Sequence, residues 1–211
     1  MGQEDESPYR LVINVFKDAG IQTGIIGMEE RLRYFILDGI QKEAPHLSYV
    51  SGDPVSVECR IIKSDAEIAL MQKANDITLT AIQHGVAQLK EGMSQGDLSS
   101  IIMSAQTQLG GDPDFALCLF GKDAAFPHGT KTPAKLKKGE IVLLDCGCSV
   151  HGYSSAVTST IVFGAEPTAR QLSGGNLEKE AQAAGSDADK NGSHFGDIDA
   201  ASSKVINGAG S

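Results

Sequence analysis

Apolar residues recur first at helical spacing and later in alternating or continuous runs, so helices are expected first and a sheet afterwards. Pro8 to Gly20 reads as a short helix. Ser7 is its N-cap, Pro8 sits in the first turn, Leu11, Val12, Val15 and Phe16 form an apolar stripe, and Gly20 terminates it. Ile21 to Gly27 follows as a short strand. Glu29 to Glu43 returns to helical spacing through Leu32, Phe35, Ile36 and Ile40 until Pro45 stops it. Leu47 to Ser51 makes another strand before the turn Gly52-Asp53-Pro54. This alternation over residues 1–60 predicts a small, partial α/β unit.

The strongest local signal follows. Ser64-Asp65-Ala66-Glu67 is a capping box opening a long helix through Ile68, Met71, Ile77, Ile82, Val86 and Leu89, with Gly85 at a packing contact and Gly92 at its end. Ser94 to Leu109 repeats the pattern, with Ser94 capping, Asp97 at the third helical position, and Leu98, Ile101, Ile102, Ala105 and Leu109 inward. The period then changes. Phe115 to Phe120, Ile141 to Asp145 and Val157 to Phe163 read as strands, which gives an α+β layer. From Leu172 onward the chain is polar. Two weak helices, Asn176 to Ala184 and Asp197 to Ile206, flank residues 185–193, whose composition is that of a solvated or disordered stretch.

Composition narrows the function classes. A chain of 211 residues has room for one ordinary domain, or for one domain plus a fragment of another. Its net charge of −9 argues against an electrostatic grip on nucleic acid or an anionic membrane. No run approaches the length of a membrane span, and the acidic start Met1-Gly2-Gln3-Glu4-Asp5-Glu6 is unlike a signal peptide, so a soluble cytoplasmic protein is expected. Cys59, Cys118, Cys146 and Cys148 form no disulfide framework or CxxC pair, and Cys146 and Cys148 are expected on one face of a strand as inert buried thiols. Dinucleotide, P-loop and α/β-hydrolase signatures are absent from the sequence.

Gly139 to Gly164 is the most informative stretch, because two strand-like runs flank Val150-His151-Gly152 and would pair as a hairpin. A ladder centred between Val150 and His151 would set position 145 against position 156. Two acids there would bridge a pair of metal ions.

Six motifs carry a resemblance. They are Ile61-Ile62-Lys63-Ser64 with Glu67 to Met71, Phe126-Pro127-His128-Gly129, Leu136-Lys137-Lys138-Gly139-Glu140, Leu144-Asp145-Cys146-Gly147 and Gly152-Tyr153-Ser154-Ser155. In order and spacing they resemble the Xaa-Pro aminopeptidase and prolidase branch of the pita-bread (creatinase/aminopeptidase-like) metallopeptidases. The resemblance runs from about residue 61 to 171. It implies the first half of a pita-bread fold over 61–171, a remnant of the non-catalytic N-terminal domain over 1–60, and a polar tail over 172–211. In that family two Asp, one His and two Glu hold two divalent ions, such as manganese, cobalt or zinc, that activate a water, while a separate histidine faces the substrate. The implied substrate is a peptide with proline at the second position.

Carried over residue by residue, Asp145 matches the first aspartate ligand and His128 the substrate-side histidine. Ala156 occupies the second aspartate position, and Ser159 stands where an arginine is expected. The other His and two Glu ligands of the family lie beyond Ser211, so the chain is expected to be a truncated member that binds neither ion tightly and is catalytically inactive. His46, His84, His151 and His194 are expected to be surface or loop residues, and Tyr153 and Thr158 to serve packing and ladder hydrogen bonds. The alternative is a non-catalytic peptide- or protein-binding module of pita-bread type. An uncovered sheet edge further predicts a homodimer or self-association.

Overall fold

The structure is a computed structural model that describes residues 6–210. The start of the acidic segment read against a signal peptide, residues 1–5, lies outside the described residues. The chain divides into two compact units, the first ending at Asp65 and the second starting at Ala66.

The first unit is α/β. Helix α1 (Pro8–Asp18) begins where expected, with the Ser7 side chain accepting from the Arg10 N–H. Its inward stripe is Tyr9, Ile13 and Phe16 rather than Leu11, Val12 and Val15, which are exposed. These inward positions fall one helical turn apart and meet Ile36 and Ile40 of α2 (Tyr34–Glu43). Helix α2 starts five residues later than the spacing of Leu32 suggested. Strands β1 (Ile25–Met28) and β2 (Ser48–Ser51) pair in parallel on either side of α2 in sequence. The turn expected at Gly52-Asp53-Pro54 instead opens a further helix, α3 (Asp53–Ile61). Pro54 lies at its start, where a missing N–H costs nothing.

In the second unit the helices precede the sheet, as the change of period predicted. Helix α4 (Asp65–Ala87) and helix α5 (Gln95–Gln108) cross at Gly85, where an added Cβ would lie 2.6 Å from Ile102 Cγ1. Helix α4 ends at Ala87, before Gly92, which sits in the connection with a φ of 82°. Ser94 and Asp97 form the expected capping box.

The sheet is antiparallel, with strand β4 (Ile141–Val150) in the middle. On one side lies β3 (Asp112–Phe120). On the other lie β5 (Tyr153–Ser154) and β6 (Val157–Val162), two pieces of one interrupted strand. Val142, Leu144 and Cys146 alternate toward α4 and α5, packing with Ala81, Ile82, Leu98 and Ile102. Cys146 and Cys148 are both buried on that face, as expected of same-face strand positions.

The tail carries α6 (Ala169–Ala188) and α7 (Phe195–Gly208), each longer than its apolar spacing indicated. A capping box between Thr168 and Gln171 starts α6 early. Close packing at Gly185, where a Cβ would collide with Ser202 Oγ, holds the pair together through small residues that hydrophobic periodicity does not register.

Candidate functional site

Asp145 stands midway along β4, half-buried, on the face opposite Val142, Leu144 and Cys146. Its cross-strand neighbours there are Leu117 of β3 and Thr158 of β6. Thr158 Oγ1 donates to Asp145 Oδ1 at 3.1 Å.

That pairing corrects the expected register. The hairpin turns about His151 and Gly152, with φ of 51° and 83°, so Val150 pairs with Tyr153 and Asp145 meets Thr158 rather than Ala156. Positive φ at both central residues matches a two-residue turn to the right-handed twist of its strands, and a centre between Val150 and His151 would not. The displacement is two residues, so the face is kept. Ala156 comes opposite Gly147 on the same side as Asp145, a diagonal neighbour at about 7–8 Å in ordinary ladders.

A buried network fixes the interruption between β5 and β6. Ser155 Oγ accepts from the Cys148 N–H at 3.1 Å and lies 2.8 Å from Thr78 Oγ1 on α4. The Ser155 N–H donates to Cys148 O at 2.9 Å. Gly147 has no room for a side chain, since a Cβ would collide with Ser155 O and lie 2.6 Å from Phe115 Cε1.

His128 is exposed, in a turn closed by the Gly129 N–H donating to Phe126 O at 3.0 Å. Gly129 has a φ of 71°, and a Cβ there would lie 2.9 Å from Leu119 Cδ2. Leu119 follows Leu117 on the Asp145 face, so the fold brings the Pro127-His128-Gly129 turn to the same face. The remaining histidines stand on other elements. His84 in the last turn of α4 bonds to Gln88 just beyond it at 2.6 Å, His151 is at the hairpin tip, His194 precedes α7, and His46 belongs to the first unit.

The donors around Asp145 are one carboxylate and neutral hydroxyls, with a methyl group at position 156. Two divalent ions need several oxygen or nitrogen donors in fixed geometry, so these residues do not fit such a pair. Among the described residues, no group of three or more His, Cys, Asp or Glu is placed to hold a metal ion.

The Cys118 thiol offers no nucleophile either. Cys118 is buried, and its thiol is pushed up by a hydrogen bond with Cys146 and by burial, which keeps it protonated and unreactive.

Two residues escaped the sequence reading. Asp123 is 1 % exposed and accepts from Gln95 Nε2 and from the Ala134 N–H, both at 2.9 Å. Its signal was an acid in a loop just before the Pro-His-Gly turn. Ser155 was noticed only as part of a motif.

The sequence pattern of Metallopeptidase family M24 matches residues 69–211. An uncharacterized peptidase of Schizosaccharomyces pombe is 32% identical over 212 residues, which cover 98% of this chain and 45% of that protein. The Xaa-Pro dipeptidase of Pyrococcus horikoshii is 27% identical over 183 residues, 86% of this chain and 52% of that protein. Among solved structures, a dipeptidase from Pyrococcus horikoshii OT3 superposes with a TM-score of 0.86 at 28% identity, covering 100% of this chain and 59% of that one. The chain thus spans about half the length of the curated relatives it matches.

Proposed function

Because this chain belongs to metallopeptidase family M24, we propose that it is a relative of the Xaa-Pro dipeptidases in which the peptide-facing sheet is retained and hydrolysis is not. Its fold is the first half of the α+β pita-bread fold, preceded by a partial α/β N-terminal domain, of the prolidase and aminopeptidase structures it matches, of which it covers 59%. The observation that carries the reading is the pair of side chains beside Asp145. Thr158 caps the carboxylate from the facing strand, and Ala156 supplies only a methyl group where the resemblance requires a second acid. Without that second carboxylate the pair of ions is not held, and His128 has no activated water to assist.

The test is hydrolysis of an Xaa-Pro dipeptide by the purified chain with manganese, cobalt or zinc. The reading expects no turnover above that of Asp145→Ala. Metal-dependent turnover that Asp145→Ala abolishes would refute it.

A second reading, a non-catalytic module for a peptide with proline at its second position, draws on the exposure of Ser154, Ala156, Thr158 and Thr160 along one face. Saturable binding of such a peptide without metal would favour it. We also propose a cytoplasmic protein that forms a homodimer or self-associates; its four free cysteines support the reducing compartment. Among the described residues no helix is long and apolar enough to cross a membrane. The domain limits we propose are 1–60, 61–171 and 172–211.

A further inference from the structure

The segment between β3 and β4, residues 121–140, is a long connection with one short 3₁₀ turn, Gly121–Ala125, and it carries His128 at its outer bend. Loops of this length hold one shape only when something ties their limbs together. The returning limb is secured at Leu136, whose N–H donates to Met93 O at 3.0 Å and whose carbonyl accepts from the Gly92 N–H at 2.8 Å. The outgoing limb is secured by Asp123. Its Oδ2 accepts from Gln95 Nε2, in the first turn of α5, and from the Ala134 N–H across the loop.

A buried carboxylate normally meets a cation, yet neither ion pair formed among the described residues involves Asp123. Both its donors are neutral N–H groups that converge on one oxygen. The bond to Ala134 closes the loop on itself, and the bond to Gln95 docks it on α5. Inside the loop, Thr130 Oγ1 is buried without a partner, which favours opening toward water. Something must oppose that.

We propose that Asp123 is the positioning residue of the His128 turn, a clamp whose two acceptor bonds hold Phe126 to Gly129 against Leu119 on the Asp145 face. The clamp acts whether or not a peptide or a metal ion binds, so its test needs neither and stands apart from that of the proposed function.

Three variants of the full chain separate a clamp from a general contribution to folding. Asp123→Ala removes the acceptor. Asp123→Asn keeps an oxygen for both donors. Gln95→Glu improves the charge at the start of α5 but sets two carboxylates against each other. Tryptic cleavage after Lys131, an exposed residue of the loop, and the backbone order parameters of residues 126–131 are the readouts. Cleavage after Lys131 should rise roughly tenfold in Asp123→Ala and in Gln95→Glu, with lowered order parameters and unchanged amide protection in β4 and β6. Asp123→Asn should stay within about twofold of the parent. Unchanged cleavage in Gln95→Glu overturns the proposal. So does equal loosening of β4 and β6 in the variants, or an Asn variant as open as the Ala variant. If Asp123→Ala fails to fold, Gln95→Glu and Asp123→Asn decide the matter alone.

Discussion

Thr158 Oγ1 donates to Asp145 Oδ1 at 3.1 Å across the β4–β6 ladder, so the carboxylate that faces the open side of the sheet is held by a hydroxyl from the neighbouring strand. Thr158→Val keeps the shape and removes the donor. Urea unfolding should show a loss of about 1 kcal/mol, the usual net worth of such a bond. A stability gain would mean that the pair contributes nothing.

Gly147 admits no side chain, because a Cβ would strike the carbonyl of Ser155 and the ring of Phe115. Backbone cannot retreat as a flexible side chain can. Gly147→Ala should cost about 1–3 kcal/mol in the same measurement, as overpacking does.

Thr78, Ser155 and Cys148 share a buried network, so Ser155→Ala strands the Cys148 N–H and the Thr78 hydroxyl. The expected loss is about 1–3 kcal/mol. Thr78→Val on top of it should add less than it costs alone, because the two residues share partners. A double-mutant cycle by urea unfolding measures this, and strict additivity would break the network reading.

The Ser94 hydroxyl beside it and the Ser94 N–H, which donates to its Oδ2 at 3.1 Å, hold the Asp97 carboxyl below the usual range. A lowered folded-state value stabilises the protein above the ordinary carboxylate pKa, and that stability is lost as pH falls through the folded value. Ser94→Ala should cost about 1 kcal/mol at neutral pH. In thermal melts from pH 7 to pH 2, the gap between parent and variant should narrow on the acid side.

Cys59 is exposed while Cys118, Cys146 and Cys148 are buried. A thiol reagent should therefore titrate Cys59 rapidly in the native chain and the other three only in denaturant, as peptide mapping of the labelled protein would show.

Much of the fold was legible in the chain. The Ser94 capping box, the Pro8 start of α1 and the switch from helical to strand spacing after Gly111 are local signals, and each lies where the structure has it. Part of what failed depended on neighbours distant in sequence. The inward face of α1 is chosen by α2, so Ile13 is buried while Val15 is exposed. Pro54 reads as a turn residue until the helix behind it is seen. The resemblance offered Asp145 and His128 only as matches to family residues, and it is the fold that sets the Gly129 turn against Leu119 on the Asp145 face. The ladder register was not legible, because it depends on the conformation of His151 and Gly152. Asp123 and Gln95 belong to different elements, and no periodic pattern joins them.

The most direct test of the central claim is calorimetric titration of manganese into the metal-stripped chain. The account predicts no saturable binding tighter than about 1 mM, in the parent as in Asp145→Ala, since one carboxylate beside a hydroxyl and a methyl group makes a poor cation site. Two tightly bound equivalents that disappear in Asp145→Ala would contradict it.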